Sequence, residues 1–195
     1  MKTDVIVVSS KGNQIEEALK LADKTAVFKE LSPKGALQLR LLTEEMMSMV
    51  RALAGDVKGK VWIEDEDNLF QLNLQVEGEM SAKKRKQLIS ASSSGKNEAS
   101  RGIMGKIRSF FEPEDDYPAF FDMSMVDDIG DVSRSLDWSL DAYRDQIQLY
   151  LEQEREGAKE AWDELEKSVI SRVADDVKVS IRGREISMVI IKKLA

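Results

Sequence analysis

Apolar and polar residues alternate between positions 69 and 76. One face of the predicted strand carries the apolar side chains Phe70, Leu72, Leu74 and Val76. The opposite face is expected to be wet and carries Gln71, Asn73 and Gln75. Such alternation is typical of a strand whose sheet meets solvent on one side. The stretch Val61-Trp62-Ile63 is the expected hairpin partner, across a turn at residues 65–68.

A short strand and two helices are predicted before this hairpin. Residues 4–9 are predicted to form a buried strand because they contain the β-branched run Val5-Ile6-Val7-Val8. Helical spacing of apolar residues begins at Ile15, and a second helix is expected to begin at Ser32-Pro33, with serine as the N-cap and proline at the first helical position. Gly55 is its expected end. The apolar stripe of this second helix is Leu39, Leu42, Met46, Met49, Val50 and Leu53.

The remainder of the chain is less regular. Residues 81–100 are polar and predict a short helix and a mobile loop, and a further helix is expected from Gly102 to Phe111. Residues 112–135 predict an irregular segment. The pattern is helical again from Leu136, with a break near Gly157. A final hairpin is expected to join 177–181 to 186–190.

Paired strands and separate helices favour an α+β fold: a two-layer sandwich with a mainly antiparallel mixed sheet and helices on one face. We expect one domain over residues 1–195, with an irregular and helical insertion at 113–172 before the last hairpin. No repeated motif is visible in the sequence.

Composition removes several classes of chemistry. The chain contains no cysteine and no histidine, which excludes disulfides, thiolate and imidazole metal sites, and His-dependent nucleophilic triads. A net charge of −7 argues against nucleic acid as a partner, since nucleic-acid binding normally requires a basic surface. No apolar run is long enough to span a membrane, and we expect a cytoplasmic protein.

Three stretches of sequence suggest a nucleotide site. The second helix carries Glu44 and, four residues later, Ser48. The central strand ends in Glu77-Gly78, and Gly102 and Gly105 border the next predicted helix. In this order the elements and residues resemble the histidine-kinase-like ATPase fold, in particular the small anti-sigma-factor kinases.

The resemblance implies a role for each of these positions. Glu44 falls at the family's helical glutamate, Ser48 stands where an asparagine coordinates Mg²⁺, Glu77-Gly78 stands near the acid-x-glycine motif that reads adenine, and Gly102 and Gly105 correspond to the phosphate-binding helix entry. Serine lacks the amide carbonyl, and the acid and glycine are not at the family's spacing. We therefore expect a degenerate pocket with no bound cofactor and no metal.

The leading hypothesis is a regulatory protein that binds a protein partner, with a homodimer as one form, and that does not act as an enzyme. The alternative is an active ATP-binding protein or Ser/Thr kinase that uses ATP with Mg²⁺ and Glu44 as its base. A third reading is a structural subunit whose wet sheet face pairs with a copy of itself.

Other candidate motifs are weaker indications of function. Ser92-Ser93-Ser94-Gly95-Lys96 lacks the first glycine and the final hydroxyl residue of a phosphate loop. The basic run at 83–86 is expected to be a solvated helix face. The acidic residues between Glu114 and Asp141 show no metal-binding register.

Overall fold

The computed structural model describes residues 1–9, 14–52, 58–77, 136–182 and 185–195. These residues form six strands and five helices. The strands are β1 (Ile6–Ser9), β2 (Lys58–Glu66), β3 (Leu69–Glu77), β4 (Leu136–Ser139), β5 (Asp176–Arg182) and β6 (Glu185–Lys193). The helices are α1 (Ile15–Phe28), α2 (Pro33–Ala52), α3 (Leu140–Glu152), α4 (Ala158–Lys167) and α5 (Val169–Val173).

The strands form a single sheet in the order β1-β2-β3-β6-β5-β4. Every pairing between the described strands is antiparallel. One face of this sheet is apolar and almost fully buried, and it shares one hydrophobic core with the helices. Neighbouring residues across an antiparallel pair point to the same face, so the alternate residues of each strand form a second face, here called the open face. The predicted α+β sandwich is confirmed.

The sheet contains an internal repeat that the sequence does not reveal. Each half has the order strand, helices, hairpin, and the halves meet where β3 pairs with β6. Val61 lies opposite Leu74 in the first half, and Val177 lies opposite Ile190 in the second. The two residues of each pair are the same distance apart in the sequence, so the two hairpins have the same register. The two halves thus share strand register and apolar alternation. Many different sequences are compatible with both, which is why the repeat is not visible in the sequence.

The predicted second helix and hairpin are confirmed, and the expected end of the helix at Gly55 lies outside the described residues. Ser32 caps α2: its Oγ accepts a hydrogen bond from the Gly35 backbone N–H at 3.2 Å. The β2–β3 turn is shorter than expected because both strands continue up to it, leaving only Asp67 and Asn68. These two residues have φ values of 50° and 64°, and two successive positive φ values are typical of the tight type I′ hairpin turn.

Three local expectations are wrong. The strand at residues 4–9 is an edge strand, β1, in which Val8 is buried but Val7 is 63% exposed. Leu136–Ser139 is a strand paired with β5, and the helix begins only at Leu140. Asn73, expected to be wet, is buried because it lies between Trp62 and Val189 on neighbouring strands.

Residues 136–172 of the expected insertion supply β4 and helices to the same sheet and core. The features predicted at 81–100, at Gly102–Phe111 and at 112–135 lie outside the described residues.

Candidate functional site

Glu44 and Ser48 lie on the solvent side of α2. Both side chains are exposed, while the residues around them on the helix, Thr43, Met46 and Met47, are buried. Residues four apart on an α-helix lie above one another, which is why the two share this exposed stripe. The structure places this stripe away from the core.

The apolar stripe of α2 faces the core. Leu42, Met46 and Val50 of the helix and Phe70 and Leu74 of β3 are all at 0% exposure and belong to one hydrophobic cluster. Core side chains at native packing density leave few voids larger than a water molecule. The interval between α2 and β3, where the resemblance implies a nucleotide, is therefore occupied by the chain's own side chains.

Glu45 is the acid of α2 whose environment is perturbed. It is half-buried, and burial raises the pKa of its carboxyl, with a further increase from the negative charge of Glu44. Desolvation and a neighbouring like charge both disfavour the ionised form. The resemblance singles out Glu44, whereas the structure places the perturbed carboxyl one residue later, at the boundary of the apolar stripe.

Of the other predicted nucleotide-site residues, the structure describes Glu77. Glu77 is the last residue of β3, is exposed, and lies opposite Glu185 of β6. Gly78, Gly102 and Gly105 lie outside the described residues. Glu44 and Ser48 share a solvent-facing stripe of α2.

The open face presents a second candidate surface. Trp62, Asn73, Val189 and Lys178 lie opposite one another in turn, forming a row across β2, β3, β6 and β5, here called the central row. Val189 and Trp62 are half-buried, so they expose apolar surface at the centre of the sheet. Sequence reasoning missed this tryptophan, although the alternation of β2 could have placed it on the wet face.

Electrostatic contacts hold Trp62 in place. The Lys2 ammonium lies 4.9 Å from the centroid of the Trp62 ring, a cation–π contact. Lys2 also pairs with Glu64 at 2.9 Å, and the Trp62 Nε1–H donates to Glu64 Oε1 at 2.8 Å. Hydrogen bonds from Lys2 and Trp62 lower the pKa of the Glu64 carboxyl. These contacts hold the indole ring in one orientation. A side chain that is already ordered loses less conformational entropy when it binds a partner.

A buried ion pair lies on the core side of the same strand. The Asp65 side chain is 1% exposed and pairs with Lys29, at the end of α1. Its Oδ1 atom has no hydrogen-bond partner. The neighbouring backbone is fixed by the Asp65 N–H, which donates to the Met1 carbonyl at 2.8 Å. The pair connects α1 to the sheet, and no local pattern in the sequence indicates it.

The described residues contain no group of three or more acidic side chains able to hold a metal ion. Within the same ranges, no helix combines the length and apolar character that crossing a bilayer requires. No protein-family model matches the chain, and the search of curated proteins finds no significant match.

Proposed function

We propose that this chain is a cytoplasmic protein-interaction protein that works by binding, not by catalysis. The observation that carries the proposal is the position of α2. Its apolar stripe fills the interval next to β3, while Glu44 and Ser48 lie on the solvent side of the helix. A nucleotide held between this helix and the sheet would have to displace core residues such as Leu42 and Phe70. Removing large side chains from a packed core costs about 2–5 kcal/mol each.

The residue inventory agrees with a binding role. Without histidine or cysteine, a catalytic base or nucleophile must be a carboxylate, lysine, hydroxyl or tyrosine. The carboxyl of Glu45, whose pKa is raised by burial and then by the charge of Glu44, lies half-buried beside the apolar stripe of α2. Glu44 next to it is exposed and presents an acidic side chain that a partner can contact.

The open face supports the same proposal. Among the described residues, helices pack on one side of the sheet, and the other side carries side chains from all six strands. At its centre this face carries Trp62 and Val189, and its edge strand carries the exposed Val7. Apolar surface surrounded by polar residues is typical of interaction sites.

Calorimetric titration of the full chain with ATP and Mg²⁺ tests the proposal. We expect no saturable heat at ligand concentrations up to the millimolar range. Micromolar binding that disappears in Glu77→Ala, and persists in the matched control Glu66→Ala at the end of β2, would overturn it in favour of an ATP-binding protein.

A further inference from the structure

The charges of the open face are arranged with opposite signs on the two sides of the central row. Along β2, two lysines precede Trp62 and two glutamates follow it at the same spacing: Lys58, Lys60, Glu64 and Glu66. Along β6, Glu185 precedes Val189 by four residues and Lys193 follows it by four. In both strands, each cation has an anion at the mirrored position across the row.

Glu64 pairs with Lys2, but the other five of these side chains and their neighbours form few contacts of opposite charge within the described part of the chain. Lys58, Lys60, Glu66, Glu185 and Lys193 are exposed, and none of them forms an ion pair with another described residue. Glu185 has a like charge opposite it on β3, Glu77, and an opposite charge on β5, Arg182, so its two cross-strand neighbours act against each other. Lys60, Glu66 and Lys193 lie opposite uncharged residues in the strand pairings, so cross-strand pairing within one copy does not explain their charges.

We propose that the open face binds the open face of a second copy of this chain, with a two-fold axis lying along the central row. Such an axis carries each residue to the mirrored position on its own strand. Lys60 of one copy then lies over Glu64 of the other, Lys58 over Glu66, and Glu185 over Lys193, and each contact occurs twice. This inference deepens the proposed function by naming its partner.

The apolar centre fits the same axis. Trp62 and Val189 lie on the row and would each contact their own copy, as an isologous interface requires. Lys178, also on the row, would face itself. This is a like-charge contact, and the flexible lysine stem is what allows the two ammonium groups to turn away from each other. Rotation about this axis keeps the strands of the two sheets nearly aligned, the usual geometry of sheet-on-sheet packing.

The alternative two-fold axis, parallel to the strands between β3 and β6, is less favourable. It would place β2 over β5, with Glu64 facing Asp176. It would also leave Lys60 over Ser180, so the mirrored charges of β2 would find no partners. Charge complementarity therefore selects the axis along the central row.

The open face is also large enough for such a dimer. The six strands have between four and nine residues each and lie side by side, so the face covers roughly 600–700 Å² in projection. Standard interfaces bury about 800 Å² on each partner. Side chains that extend beyond the strands, such as Lys2 over Trp62, account for the remainder.

Charge exchange between two variants tests the axis. We expect the wild-type chain to sediment as a dimer at micromolar concentration. In a dimer of the double variant Lys58→Glu/Lys60→Glu, every charged contact of β2 is between two acidic side chains. In a dimer of Glu64→Lys/Glu66→Lys, every such contact is between two basic side chains. Each double variant should raise the dimer Kd by about tenfold or more. An equimolar mixture should restore the dimer as a heterodimer, because all of its contacts are again between opposite charges.

A second pair of variants covers the case in which loss of the Lys2–Glu64 contact unfolds the basic variant. Glu185→Lys and Lys193→Glu apply the same exchange to β6 and should behave in the same way, alone and mixed. Lys24→Glu and Glu160→Lys, two exposed charges of α1 and α4, serve as controls and should leave the dimer unchanged.

A wild-type chain that stays monomeric at hundreds of micromolar would overturn the inference. So would a dimer that persists in the variants, or variants that mixing does not rescue. Calorimetry with ATP on the same sample separates the two proposals. ATP binding by an intact dimer contradicts the proposed function alone, whereas a monomer without ATP binding contradicts the inferred interface alone.

Discussion

Asp175 connects the end of the last helix to the last strand. Its Oδ1 lies 2.6 Å from the Lys192 Nζ, and its Oδ2 accepts the Lys193 backbone N–H at 2.6 Å. Its own N–H donates to the Ile191 carbonyl at 2.9 Å. Partial burial raises the pKa of the Asp175 carboxyl, but the hydrogen bonds from Lys192 and Lys193 and the charges of Lys192 and Arg144 outweigh that effect. The pKa therefore lies below its ordinary value.

A depressed pKa makes this contribution to stability dependent on pH. Because the folded state favours the carboxylate, the stabilisation is complete well above the ordinary pKa of 3.8 and is lost as the pH falls through the lower folded value. Asp175→Asn should cost about 1 kcal/mol at pH 7, since the group is only partly buried. Urea unfolding at pH 7 and pH 3 should show this difference shrinking at the lower pH. Asp163→Asn, at an exposed acid of α4, is the control and should change the free energy of unfolding little at either pH. If Asp175→Asn lowered the free energy of unfolding by the same amount at both pH values, this explanation would be wrong.

Helix α2 shows what a single cap contributes to an element. Besides accepting the Gly35 N–H, the Ser32 hydroxyl donates to the Ala195 carbonyl at 2.7 Å, so the cap also holds the chain that follows β6. Ser32→Ala should lower the free energy of unfolding by about 1 kcal/mol or slightly more. Ser48→Ala, at an exposed serine inside the same helix, should be neutral or slightly stabilising, because alanine is the better helix former. Chemical denaturation measures both, and equal effects would exclude a capping role.

At the scale of elements, sequence prediction succeeds where the determinants are local. Caps, helical periodicity and strand alternation are properties of neighbouring residues, so α2, the β2–β3 hairpin and the β5–β6 hairpin are predictable. The exposure of Val7, the strand at Leu136–Ser139 and the burial of Asn73 depend on which strands lie alongside, which no local pattern specifies. A local cue at Ser139 was missed: its Oγ accepts the Ala142 N–H at 3.2 Å and marks the true start of α3.

The same division applies to the candidate site. Helical spacing correctly predicts that Glu44 and Ser48 share a face, but which face α2 turns to the core depends on the whole apolar stripe. The mirrored charges of β2 are present in the sequence, whereas the register of β2, β3 and β6 is needed to show that they flank one row. The Lys29–Asp65 pair joins residues that are distant in the sequence, and no pattern in either segment predicts it.

The two halves of the sheet share one core, and this makes a prediction about the whole molecule. Leu74 and Ile190 occupy equivalent places in the repeat, both are at 0% exposure, and both belong to the same cluster. Leu74→Ala and Ile190→Ala should each cost about 3 kcal/mol through lost burial and the cavity left behind. Because β3 pairs with β6 along its full length, each variant should shift one common unfolding transition.

Circular dichroism reports on the secondary structure of the whole molecule, and tryptophan fluorescence reports on side chains in both halves. Trp62 lies in the first half, and Trp138 and Trp162 lie in the second. Coincident transitions for both probes in wild type and in both variants would show that the halves unfold together. Leu149→Ala, at a leucine of α3 that is 49% exposed, should shift the midpoint far less. If Leu74→Ala moved only one of two separate transitions, the halves would be independent domains and the continuous sheet would not govern stability.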